Sequence, residues 1–111
     1  MFFSRIKRNV PLLKVLCGAK PALIKVVLKG ASPDLISALC ECSLNILEGN
    51  VHLTPAQKKL LSRYKQSLRT LARKGTSVKR RKQILQKGGF VGALLKPVLG
   101  VLGGLLGSLG Q

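Results

Sequence analysis

Apolar residues recur at helical spacing along most of the chain, and the strict alternation that marks strands is weak. Pro21 suits a first helical position, Ala22 to Lys29 continue it, and Gly30 is a natural stop, so a helix is predicted there. Ser32-Pro33-Asp34 predicts the cap and first turn of a second helix, ending near Glu48 with Gly49 beyond. On its wheel Leu35, Leu39, Cys42 and Ile46 form one stripe, with Ile36 and Leu47 alongside. Asp34, Glu41 and Glu48 recur every seven residues and share a strip on the other side. Such a strip is either a solvated face or a dock for a basic helix of the same chain.

Thr54-Pro55-Ala56-Gln57 is the strongest local signal. Thr54 and Gln57 can satisfy each other's backbone N–H groups, and Pro55 has no N–H to satisfy. The helix it opens is predicted to reach about Arg73, closed by Lys74-Gly75. Leu60, Leu61, Tyr64, Leu68 and Leu71 line one side of it, and Lys58, Lys59, Arg63, Lys65, Arg69 and Arg73 the opposite half. Thr76 or Ser77 can cap a further short helix carrying Lys79-Arg80-Arg81-Lys82.

These elements predict an all-α fold, a small three- to four-helix domain over residues 20–75. Its expected core is Leu23, Ile24, Val27, Leu35, Leu39, Ile46, Leu60, Tyr64 and Leu68. Residues 1–19 read as a basic N-terminal arm, 76–89 as a basic segment ending in Gly-Gly, and 90–111 as an apolar, Gly-rich, membrane-active tail. A core of that size is marginal alone, so tight helix packing or a partner is expected.

Charge changes the picture most. Twenty Lys and Arg stand against three acids in 111 residues, a formal charge of +17. That balance points to nucleic acid or an anionic membrane as partner and opposes an unpartnered compact state. Residues 30–57 hold no Lys or Arg and all three acids, whereas 58–87 hold twelve Lys and Arg and no acid. The candidate nucleic-acid-binding set is therefore Lys58, Lys59, Arg63, Lys65, Arg69, Arg73, Lys74, Lys79, Arg80, Arg81, Lys82 and Lys87. With only Phe2, Phe3, Tyr64 and Phe90 as aromatics, base stacking is a poor mechanism, and phosphate contact is the expected one.

After Gly88-Gly89 the character inverts. Phe90 to Gln111 carry one charge, Lys96, and no acid. Phe90 to Leu109 has the length of a bilayer span, but Lys96-Pro97 and Gly92, Gly100, Gly103, Gly104, Gly107 and Gly110 weaken that reading. Gly100-x-x-x-Gly104 and Gly103-x-x-x-Gly107 match the spacing that lets apolar helices approach closely. The candidate membrane residues are Phe90, Val91, Leu94, Leu95, Val98, Leu99, Val101, Leu102, Leu105, Leu106 and Leu109. Shallow insertion is the favoured reading; a buried helical interface and a permanent span are the alternatives. The Gly-Gly junction is then expected to separate a phosphate-binding part from a lipid-active part, or to be a helix stop only.

Little in the sequence suggests catalysis, a cofactor or a metal. His52 is the only histidine, the acids lie along one helix strip, and no phosphate-cradling loop is present. Cys17, Cys40 and Cys42 are odd in number and read as small buried thiols in a reducing compartment. The start, Met1 to Arg8, has the basic, acid-free composition of organelle presequences, while Lys14, Lys20 and Lys25 break every apolar run that a secretory signal needs.

The Lys/Arg-dense run, Gly88-Gly89, Phe90 and Leu94-Leu95-x-Pro97 resemble the small late core protein X, or mu, of adenoviruses. They also resemble its relatives in the adintovirus and polinton group of double-stranded DNA elements, over about residues 77–111. Thr54 to Leu61 looks similar to the upstream region of the polinton-type members. The resemblance implies a virion core protein, active in the virion core and host nucleus, that condenses double-stranded DNA. It also implies capsid proteins as neighbours and cutting at Gly-Gly by a viral cysteine protease, here between Gly89 and Phe90. Gln86 stands four positions before that bond, where the protease favours Met, Leu or Ile. Two other readings stay open: a small cationic lytic or pore-forming protein, and a minor capsid protein whose tail docks under the shell.

Overall fold

Helices joined by connections of one to seven residues make up the computed structural model, which describes residues 3–87 and 89–109, the side chains of 102–109 excepted. They are α1 Ser4–Arg8, α2 Val10–Gly18, α3 Pro21–Lys29, α4 Pro33–Leu47, α5 Pro55–Ser62, α6 Lys65–Ala72, α7 Val78–Leu85 and α8 Phe90–Leu109. The all-α class holds, and among the described residues there is no strand. The count does not hold: eight helices replace the expected three or four.

Local chemistry places the starts. Ser32 Oγ accepts from Leu35 N–H at 3.1 Å to open α4, and Ser77 Oγ accepts from Arg80 N–H at 3.1 Å to open α7. The predicted box opens α5: Gln57 N–H donates to Thr54 Oγ1 at 3.1 Å and Thr54 N–H to Gln57 Oε1 at 2.9 Å. Each such cap is worth about 0.5–2 kcal/mol over alanine. Pro21, Pro33 and Pro55 occupy first-turn positions, where no backbone donor is lost.

Two expectations are corrected by packing. The single helix from Thr54 to Arg73 breaks at Arg63–Tyr64, because its apolar stripe serves two neighbours. Leu61 is buried where α5 packs on α8, while Leu68 and Leu71 are buried where α6 packs on α4. Ser62 Oγ–H also donates to the Lys59 carbonyl at 2.7 Å, drawing off an acceptor of the last α5 turn. Residues 1–19 are no arm where they are described: α1 and α2 place Ile6, Val10, Leu13 and Leu16 in the core.

The core is centred elsewhere than expected. Leu35, Leu39, Ile46 and Leu68 are buried as predicted, and Ile24, Val27 and Tyr64 pack partly against them. Leu23 and Leu60 are exposed. In their place stand Phe90, Val91, Ala93, Leu94, Leu95 and Val98 from the first half of α8, which packs on α2, α4 and α5.

Polar tethers complete the bundle around α4. Ser43 Oγ–H donates to the Leu68 carbonyl at 2.7 Å, and Asn45 Nδ2 to the Glu41 carbonyl at 2.8 Å. On the acid strip the dock is found, and the basic helix that occupies it is α1. Arg8 Nη2 lies 2.8 Å from Asp34 Oδ1, Arg5 Nη1 lies 3.5 Å from Glu41 Oε2, and Asn9 Nδ2 donates to Asp34 Oδ2 at 2.9 Å. Glu48 stays exposed.

Leu94 is fully buried, so Leu94→Ala should cost about 2–5 kcal/mol, whereas substituting exposed Leu60 by Ala should stay within about 0.5 kcal/mol. Urea unfolding of the two variants checks this; similar midpoints would mean that α8 does not hold the core.

Hydrogen bonds from Arg8 and then Asn9 hold the Asp34 carboxyl below the usual carboxylate range. A depressed acid contributes stability above its unfolded pKa, about 3.9, and loses it as pH falls through the lower folded value. Thermal melts should therefore show an acid-side loss that is smaller in Asp34→Asn; identical pH profiles would show that the α1–α4 contact carries none of it.

Candidate nucleic-acid interface and the buried tail

The twelve candidate cations fall on three consecutive helices and their ends. Lys58 and Lys59 lie on α5 and Arg63 ends it; Lys65 and Arg69 lie on α6, with Arg73 and Lys74 just beyond. Lys79, Arg80, Arg81 and Lys82 lie on α7, with Lys87 after it. Ten are exposed; Arg81 and Lys82 are half-buried. α6 and α7 pack on each other, with Arg80 and Lys87 on one side of their contact and Lys74 and Arg81 beside α4 on another. Between the two helices a shallow cavity of about 50 Å³ is lined by Gln66, Ser67, Thr70, Arg80, Ile84 and Lys87.

Three of the twelve also brace the structure. Arg81 Nη2 donates to the Arg73 carbonyl at 3.0 Å, tying α7 to the end of α6. Lys82 Nζ donates to the Lys29 carbonyl at 3.1 Å, and Lys87 Nζ to Ser67 Oγ at 2.9 Å. The sequence did not show this role, because two of the acceptors are backbone carbonyls and the third, Ser67 Oγ, lies twenty residues away.

Among the described residues every ion pair uses Arg5 or Arg8, with Asp34 or Glu41, so none of the twelve has a carboxylate partner. Asp34 and Glu41 thus meet α1, and the α5–α7 cations are left without a carboxylate partner among the described residues. The surface has the composition that phosphate contact requires: many ammonium and guanidinium groups, one nearly buried acid, Glu41, beside Lys74 and Arg81, and a single partly buried aromatic, Tyr64.

The other cavities hold less chemistry. One of about 330 Å³ is bounded by Ile46, Val51, His52, Leu53 and Lys58, and brings no acid to His52. Another, of about 200 Å³, lies among Arg5, Cys40, Glu41, Lys74 and Arg81. Glu41 Oε1 and Arg81 Nε are buried there without a hydrogen-bond partner among the described residues, in a polar space large enough for water. Burial pushes the Cys40 thiol up, and the Cys42 thiol far up, which disfavours the thiolate at both. No group of three or more His, Cys, Asp or Glu able to hold a metal occurs among the described residues.

The candidate membrane residues divide. Phe90, Val91, Leu94, Leu95 and Val98 are buried inside the bundle; Leu99 and Val101 are partly buried against it. Leu102, Leu105, Leu106 and Leu109 fall outside the described side chains. Among the described residues no single helix is long and apolar enough to cross a membrane, and α7 and α8 meet at 91°.

The junction itself is built as a turn. Gly88 lies outside the described residues. Gly89 has φ +78°, and a Cβ there would sit 3.2 Å from the Tyr64 hydroxyl, so both backbone and space call for glycine. Phe90 follows at once, fully buried, its ring centroid 5.2 Å from that of Tyr64 at an interplanar angle of 41°. The bond between Gly89 and Phe90 therefore abuts the core, and a protease can hold it extended only after the start of α8 has come away.

Comparison with protein family models, curated proteins and solved structures finds no match for this chain.

Weakening the Tyr64–Phe90 contact should accelerate any cut at Gly89–Phe90. Tyr64→Ala, or mild urea, should raise the rate at which a Gly-Gly-specific cysteine protease releases a fragment beginning at Phe90, read by N-terminal sequencing. Equal rates in the wild type and in Tyr64→Ala would show that the bond is open in the native fold.

Proposed function

We propose that this chain binds double-stranded DNA without sequence preference through the outer side of α5, α6 and α7, and serves as a virion core protein that condenses the genome. The observation that carries this reading is the set of twelve Lys and Arg on α5 to α7, ten of them exposed and none in an ion pair among the described residues. Neutralising phosphates there releases counterions and relieves the repulsion within a chain of charge +17. The cations are spread over three helices and their ends, which suits contact with a phosphate backbone. The core-protein role itself rests on the resemblance of residues 77–111 to the adenoviral and polinton proteins.

The tail takes a different part in this proposal than its composition suggests. While residues 90–98 fill the core, their apolar area is unavailable to lipid. Membrane perturbation by the tail belongs to a state in which α8 has left the bundle, as cutting at Gly89–Phe90 or unfolding would bring about.

Gel retardation of two unrelated duplexes should give similar affinities. If about six to ten cations touch phosphate, affinity should fall by about 10³–10⁵ between 50 and 200 mM salt. Arg69→Ala and Lys79→Ala should each lower the slope of log affinity against log salt by about 0.9, whereas Arg8→Ala, already paired with Asp34, should change it less. A preference above about a hundredfold for one duplex would mean base readout and overturn the proposal.

A further inference from the structure

Among the described residues seven large apolar side chains are exposed, and four of them lie on α2 and α3: Leu12 at 46%, Val15 at 50%, Leu23 at 46% and Val26 at 69%. The two helices pack on each other, joined by the short turn at Ala19–Lys20. α2 buries Val10, Leu13 and Leu16 on its inner side, and α3 fully buries only Leu28. Leu12 with Val15, and Leu23 with Val26, are each three residues apart, so each pair occupies one outward face. Exposed Lys14, Lys20, Lys25 and Lys29 accompany them, and no acid occurs before Asp34.

We propose that the outer face of α2 and α3 docks on an anionic lipid surface. Leu12, Val15, Leu23 and Val26 enter the boundary between headgroups and acyl chains, while the four lysines keep their stems along it and their ammonium groups on lipid phosphate and carboxylate. The choice of occupant follows from the pairing of apolar side chains with unneutralised lysines. A nucleic acid backbone answers the charge but has no apolar partner for Val26. A second copy answers the apolar area but brings another +17 of like charge. An anionic membrane answers both. Helices of nine residues lie in such an interface without crossing it. This surface is separate from the tail, whose apolar residues from Phe90 to Val98 are already covered by the bundle.

The chain has no tryptophan, so a single one reports its own surroundings. With vesicles of phosphatidylcholine and phosphatidylserine, full-length Leu23→Trp should shift its emission to the blue and be quenched by brominated acyl chains. Gln83→Trp, an exposed position on the cationic α7, should do neither. The double variant Leu23→Glu, Val26→Glu should lose at least tenfold in partitioning while keeping its melting temperature and DNA retardation. Quenching at residue 83 and not at 23, equal quenching at both, or an equal response to phosphatidylcholine alone would each overturn the proposal. A concentration-dependent dimer that the double variant abolishes would assign the face to a second copy and overturn it as well. Should the double variant unfold, the two tryptophan positions decide the matter alone.

Discussion

Burial of apolar helix faces against α4 and the first half of α8 is the constraint on which the shorter helices depend. α1, α2, α3, α5, α6 and α7 have five to nine residues each, too short to persist in water on their own propensity. They need a shared apolar surface: α4 offers it to α1, α6 and α7, and residues Phe90 to Val98 close it against α2, α4 and α5. The turn at Gly89 fixes how α8 enters, since its positive φ and the nearby Tyr64 hydroxyl leave no place for a side chain. A segment that looks by composition like an appendage is therefore, in its first half, part of the core.

Electrostatics are arranged around the same bundle with a clear division. The two acids used in ion pairs are met by α1, whose arginines would otherwise add to the repulsion. These pairs involve exposed guanidinium groups, so their value lies in placing α1 more than in stability. The cations of α5 to α7 stay without carboxylate partners, and a polyanion that binds the native state adds stability by mass action. Stability thus comes from apolar packing inside, and relief of charge from whatever binds outside.

The core role of α8 and any lipid role of its residues exclude each other at one moment, because the same side chains cannot face the bundle and a membrane together. The apolar area the native fold does offer lies instead on α2 and α3, where lysines border it. Both the junction at Gly89 and the Tyr64–Phe90 contact act on the balance between the closed bundle and an opened chain.

The sequence by itself determined the helical class, the caps at Ser32 and Thr54, a cap at Thr76 or Ser77, and the run of cations along α5 to α7. All of these rest on side chains within a few residues of one another, where spacing and hydrogen-bond chemistry act without help from the fold. It left open whether the acid strip was solvated or docked, since helix periodicity records which residues share a face but not what meets that face. Only the tertiary structure decided that α1 fills the strip, that the helix opened at Thr54 breaks at Arg63–Tyr64, and that Arg81, Lys82 and Lys87 act as braces. It alone decided the place of Phe90 to Val98, because an apolar Gly-rich run carries the same pattern whether lipid or a protein core covers it, and the cover is supplied by residues up to eighty positions away.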